Sequence, residues 1–108
     1  MRKANVYFDR KLCGILEETD TGYRFRYTSA WYSDPSLPPV SLTMPKDKQV
    51  YDSPIFFPFF DGLIPEGYLL EKVVDKWSIP YKDRFGLLLK SGMDTIGAVS
   101  VEEAEEHE

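Results

Sequence analysis

Tyr23-Arg24-Phe25-Arg26-Tyr27 decides the fold class. Three aromatics alternate with two arginines, the period of a strand with one face inward and the other in water. Just upstream, Thr19-Asp20-Thr21-Gly22 is a turn cluster. Before it, Asn5-Val6-Tyr7-Phe8 and Leu12-Cys13-Gly14-Ile15-Leu16 flank the polar Asp9-Arg10-Lys11 and read as a hairpin. Downstream, Ser33–Pro39 holds three prolines and predicts a loop that no helix crosses. Val40-Ser41-Leu42-Thr43-Met44 alternates again and is expected as a fourth strand, followed by a charged connection, Pro45–Asp52.

The period then changes. Ser53-Pro54 suits a helix start, but Pro58 conflicts with a straight helix through it. Either the helix begins near Phe57 with Pro58 in its first turn, or it is kinked; Gly62 can end it. Pro65-Glu66 opens a clearer helix. Leu69, Leu70, Val73, Val74 and Trp77 fall on one face, with Glu71, Lys72, Asp75 and Lys76 on the other, and Ile79-Pro80 ends it. Asp83 can cap a short helix through Phe85, Leu88 and Leu89 that closes at Gly92. Gly97–Val101 is a final strand. Strands, then helices, then one strand predict an α+β fold. The expected architecture is a small, mainly antiparallel sheet or barrel of about five strands, with two or three helices inserted before the last.

A chain of 108 residues suits one domain, and 43% apolar residues with seven Phe, seven Tyr and two Trp can build its core. The net charge of −5 sits at one end: Glu102–Glu108 carries five Glu, and without it acidic and basic residues balance. The expected boundaries are a domain over 1–101 and an acidic, disordered tail over 102–108. No cationic patch offers itself to nucleic acid. The basic Met1-Arg2-Lys3 is not followed by an apolar run, and Pro54–Phe60 is too short to span a bilayer, so a cytoplasmic protein is expected.

Catalytic constellations are scarce. The one cysteine, Cys13, and the one histidine, His107 in the tail, make neither a nucleophile–base pair nor a soft metal site. There is no phosphate-binding glycine loop; Gly92 and Gly97 suit a helix end and a strand entry. Asp61, Glu66 and Asp94 lie near turns, where capping or surface charge is their ordinary role. No enzyme, cofactor or metal is expected. The conspicuous stretch is Phe56–Gly67, Phe-Phe-Pro-Phe-Phe-Asp-Gly-Leu-Ile-Pro-Glu-Gly. One reading is a helix filling the core of a small barrel. The other is an apolar tip at Leu63, Ile64 and Pro65, exposed for a protein partner.

Phe59–Gly67 resembles the F-F-x-x-L-L-P-(D/E) segment of HipA-type toxin kinases, and Ser91–Val99 is similar to their G-x-D-x-x-G-A-(V/L) signature. Tyr23–Tyr27 with Ala30-Trp31 resembles their aromatic strand and the tryptophan after it. Leu37-Pro38 with Val40–Pro45 resembles their P-(L/V)-S-L-S-(L/M)-P strand. Pro58 and Gly62 depart from the polar residues commoner there. The resemblance covers the first, non-catalytic subdomain, which in the full-length family precedes a kinase core; here the chain ends a few residues after Val101. A free-standing copy resembles the small antitoxin of split, three-gene HipBST systems. That resemblance implies an inhibitor of a HipA-like serine/threonine kinase toxin lacking this subdomain, with a helix-turn-helix DNA-binding protein completing the complex. An interface core wants aliphatic and aromatic anchors, so the expected contact residues are Leu63, Ile64, Pro65, Glu66 and Gly67, backed by Phe57, Phe59, Phe60 and Asp61. A detached structural subunit or fragment of such a kinase, and a small ligand- or peptide-binding barrel, are the other readings.

Overall fold

The computed structural model describes residues 1–95 and 97–104, with the side chain of Asp94 left out. Among them run five strands and four α-helices. They are β1 (Lys3–Phe8), β2 (Lys11–Thr19), β3 (Gly22–Tyr27), α1 (Ser29–Ser33), β4 (Val50–Ser53), α2 (Pro58–Asp61), α3 (Gly67–Trp77), α4 (Arg84–Ser91) and β5 (Val99–Ala104), with a 3-10 turn at Gly92–Asp94. The strands form one antiparallel sheet in the order β4-β3-β2-β1-β5. Its edges, β4 and β5, do not pair, so the sheet is open and the barrel alternative falls away.

Local chemistry builds each hairpin. Asp9 and Arg10 both take positive φ, 48° and 67°, the twist of a tight two-residue hairpin turn. Lys11, expected in the connection, already belongs to β2. The β1–β2 register slips between Val6 and Tyr7: Val6 faces Gly14 and Tyr7 faces Leu12, leaving Cys13 without a counterpart in a bulge. Cys13 is buried, and its carbonyl accepts from Thr28 N–H as the chain leaves β3. Gly14 is glycine for space: a Cβ there would lie 2.5 Å from the Phe25 ring.

The alternation around Tyr23–Tyr27 sorts the two faces as expected. Phe25 and Tyr27 are buried with Ala4, Val6, Leu16, Val99 and Val101 against Phe60, Phe85, Leu87 and Leu88 of the helices. On the opposite face, cross-strand neighbours alternate in charge across four strands, Lys3–Glu17–Arg24–Asp52. The outer rungs are ion pairs at 3.7 Å (Lys3–Glu17) and 2.7 Å (Arg24–Asp52). A register slip of one residue would turn these charges into the core, so the ladder helps specify the pairing.

The fourth strand is not where alternation placed it. Val40–Met44 is a loop, and β4 is Val50–Ser53, inside the stretch expected to be a connection. The Tyr27 hydroxyl is the cause. It accepts from Val40 N–H at 2.9 Å and donates to the Met44 carbonyl at 2.5 Å, holding the loop in a bend. Val40 and Met44 therefore point inward while Leu42, the middle of the apparent alternation, is 94% exposed. Lys46 Nζ adds bonds to the carbonyls of Asp34 and Leu37, and Trp31 Nε1 one to Pro38. The short α1, which the sequence did not signal, starts at Thr28, whose hydroxyl caps the Trp31 N–H.

Strand β5 also runs past the expected boundary. Glu102, Glu103 and Ala104 pair with Asn5, Ala4 and Lys3. Ladder bonds are made by the backbone, so acidic side chains do not prevent the strand, and Glu103 meets Lys90 at 3.0 Å. The rest of the expected tail, 105–108, with His107, lies outside the described residues.

Candidate partner-binding site

The proline conflict resolves in favour of a late start. Phe57 occupies the N-cap and Pro58 the first helical position of α2, where its missing N–H costs nothing. Ser53 closes β4 instead of opening a helix. The single turn ends at Gly62, and backbone bonds continue beyond it: Leu63 N–H reaches the Phe60 carbonyl and Ile64 N–H the Asp61 carbonyl, both at 3.1 Å. The segment after α2 is thus a bonded coil that delivers its side chains in fixed directions.

Those directions divide the expected contact residues. Phe60 is fully buried, Phe57 nearly so, and Phe59 is half-buried; Phe60 packs on Phe25, Phe57 and Phe59 with ring centroids 5.2–6.1 Å apart. Ile64, expected at an exposed tip, is only 4% exposed and belongs to the core. Leu63 and Pro65 are half-buried, and Glu66 and Gly67 are exposed. Asp61 accepts from Arg84 Nε at 2.5 Å, tying the end of α2 to the start of α4. Glu66 is the N-cap of α3 and makes no side-chain cap bond. Gly67 has φ 60° with open space around it, so glycine is there for the backbone angle.

Helix α3 is the region the sequence described least well. Its apolar stripe exists, and Leu70, Val73 and Val74 pack on the core, yet no residue of α3 is fully buried. Tyr68 is 69%, Leu69 61% and Trp77 45% exposed. Between α3, the Leu63–Glu66 coil and the end of α4 lies a groove of about 570 Å³. Leu63, Ile64, Pro65, Leu69 and Val73 supply its apolar lining; Lys72, Lys90, Ser91 and Thr95 join Glu66 as polar lining. Sequence reasoning missed Leu69, Val73, Lys72, Lys90, Ser91 and Thr95 as site residues. Lys72 read as part of a solvated face, and nothing in the chain order puts α4 beside it. Lys90 lies over the Trp77 ring at 4.8 Å and Lys72 over the Tyr68 ring at 4.9 Å.

Helix α4 supports the site from behind. The Asp83 side chain caps it by accepting from Gly86 N–H at 3.1 Å, and Gly92 ends it, both as predicted. Asp83 also accepts from Arg2, at 2.8 and 2.9 Å. Arg2 bonds Glu18 as well, so one guanidinium clamps β1, β2 and α4 together above the Phe85 ring. Its hydrogen bonds, helped by its charge, hold both carboxyls below their ordinary range.

The remaining chemistry is sparse. Among the described residues, no three of His, Cys, Asp and Glu cluster tightly enough to hold a metal ion. Burial pushes the Cys13 thiol up to about 12. Of the carboxylates near turns, Asp61 is an ion-pair partner and Glu66 a helix-start residue. The side chain of Asp94 lies outside the described part. Among the described residues, no helix is long and apolar enough to cross a membrane.

Fold and site together define a small α+β domain, an open antiparallel sheet bearing an apolar groove beside a half-covered helix. The chain belongs to the HipA N-terminal domain family, whose model matches residues 4–102. It is 31% identical over 103 residues to an uncharacterized protein of Haemophilus influenzae, covering 95% of this chain and 93% of that one. It is 28% identical over 102 residues to the putative kinase Y4mE of Sinorhizobium fredii, of whose length it spans 24%. Among solved structures it is similar to the N-terminal domain of HipA toxin, with a TM-score of 0.75, 28% identity and coverage of 99% of this chain and 96% of that one. The fold is shared with HipA of Shewanella oneidensis MR-1, solved in complex with HipB and operator DNA. There the TM-score is 0.68 at 22% identity, over 92% of this chain and 23% of that chain.

Proposed function

We propose that this chain is the antitoxin of a split HipA-like toxin–antitoxin system. It binds a HipA-like serine/threonine kinase that lacks this domain and inhibits it by protein–protein contact, and is not itself an enzyme. A helix-turn-helix DNA-binding protein completes the assembly. The observation that carries the reading is the apolar surface around the groove and α3, left uncovered on a small domain. Exposed aliphatic and aromatic side chains beside a few charges are the composition of an interface core. The Haemophilus influenzae relative, nearly coextensive with this chain, supports a domain that works as a separate polypeptide. Without a covalent link, effective concentration is lost, and the interface must supply the affinity. The barrel reading has no support in an open sheet.

The test mixes the purified chain with the HipA-like kinase from the same genome and follows phosphorylation of the kinase and of its substrate. A stoichiometric complex with phosphorylation abolished is expected. A complex that stays active makes the chain a detached structural subunit, and no complex overturns the reading. Leu63→Asp is the probing variant, expected to relieve inhibition with the fold intact. Ile64→Asp is unsuitable because Ile64 is core.

A further inference from the structure

We infer that the groove seats an amphipathic helix of the partner kinase, with aliphatic anchors on its buried face and Asp or Glu along the edge facing Lys72 and Lys90. The inference rests on the kinase-partner reading above and specifies what that partner presents. Three observations carry it. The first is the nature of the walls. Leu63, Leu69 and Val73 supply side chains from a coil and a helix, and no sheet edge opens into the groove. An extended segment laid there would bury N–H and C=O groups without partners, whereas a helix satisfies its own. Size is the second. A groove of about 570 Å³ admits more than one aliphatic side chain, as successive turns of a helix would present them.

The third is charge. Among the described lining residues two ammonium groups stand against one carboxylate, Glu66, at the start of α3. Lys90 already shares its charge with Glu103 at 3.0 Å, while among the described residues the Lys72 ammonium group rests on the Tyr68 ring. Lys72 is thus the cation most available to an incoming carboxylate, and removal from water strengthens that pairing. In the kinase relative, a copy of this domain makes up about a quarter of the chain, so the remainder of that protein is the natural source of such a helix.

The experiment measures the dissociation constant of the full chain and the kinase by calorimetry, at low and high salt. Four proteins are compared: wild type, Leu69→Asp, Lys72→Glu and Lys11→Glu, the last at the start of β2 and outside the groove lining. Leu69→Asp and Lys72→Glu are each expected to weaken binding about tenfold or more, equivalent to about 1.4 kcal/mol. The Lys72→Glu loss should shrink in high salt, Lys11→Glu should bind as wild type, and melting temperatures should stay together. Wild-type binding unaffected by both groove variants overturns the inference and leaves the kinase reading standing. Loss with Leu69→Asp alone overturns the acidic edge. No wild-type binding overturns both. Peptides tiling the kinase provide the second readout: a helical, acidic–aliphatic peptide should compete, and competition only by extended peptides overturns the helix.

Discussion

Helices α3 and α4 adjoin each other and are opposites in burial. Residues Phe85–Leu89 of α4 are all buried, in a run that leaves no solvated face along half the helix. Helix α3 is longer and has an equally clear apolar stripe, yet none of its residues is fully buried. The contrast follows from position. Helix α4 lies between the sheet and its neighbours, clamped at its start by Arg2 and Asp61 and at its end against β5, where Gly92 approaches the Val101 backbone. Helix α3 has the domain on one side only. The fold is stabilised by one helix, and the other is free to be used.

The sharpest way to break this comparison is truncation on each side of it. Phe60→Ala, in the buried core against Phe25, should cost about 3–5 kcal/mol in urea unfolding, close to the whole stability of a small domain. A loss below about 1 kcal/mol would mean that the core is not where the packing puts it. Next comes Tyr27→Phe, which strands the buried Val40 N–H and releases the Met44 carbonyl. A loss of about 1–3 kcal/mol is expected, together with faster hydrogen exchange at Val40.

A smaller effect is expected on the Arg2 clamp. Glu18 and Asp83 have folded-state pKa values below their ordinary 4.5 and 3.8 because each bonds Arg2. Their contribution is present above those ordinary values and is lost as pH falls through the depressed ones. Stability should therefore decline below about pH 4.5 through these two groups, modestly, since both side chains remain partly exposed to solvent. Arg2→Met should flatten that part of the pH profile; an unchanged profile would remove the clamp from the account. Smallest of all, Leu69→Ala on α3 should shift unfolding by no more than about 0.5 kcal/mol. A larger loss would mean that α3 is held more firmly than its exposure implies.

Much of this is legible in the sequence. The aromatic–arginine alternation of β3 fixed inside and outside, and Asp83 with Gly92 bracketed α4. Local signals sufficed there because a cap or a pleat is decided within a few residues. Long-range partners were not legible. Strand β4 reads as polar because its pairing energy comes from Arg24 and from the β3 backbone, 28 residues upstream of Asp52. Val40–Met44 alternates, but a hydroxyl on Tyr27 takes its backbone groups. Of the two readings of Phe56–Gly67, core filling holds for Phe57 and Phe60, while of the expected exposed tip Ile64 is buried and Leu63 and Pro65 are half-buried. Periodicity located the apolar face of α3 but could not report how little lies opposite it.

The bulge at Cys13 turns a packing detail into a laboratory clock. The only sulfhydryl of the chain sits sealed under the sheet and stays protonated far above neutral pH, so a maleimide cannot reach a reactive thiolate while the sheet is closed. Each labelling event then marks a moment when β2 has parted from its neighbours. Mass spectrometry of the intact chain follows that labelling, whose rate reports the population of the open form, and a partner that grips only the outer helix should leave that population almost untouched.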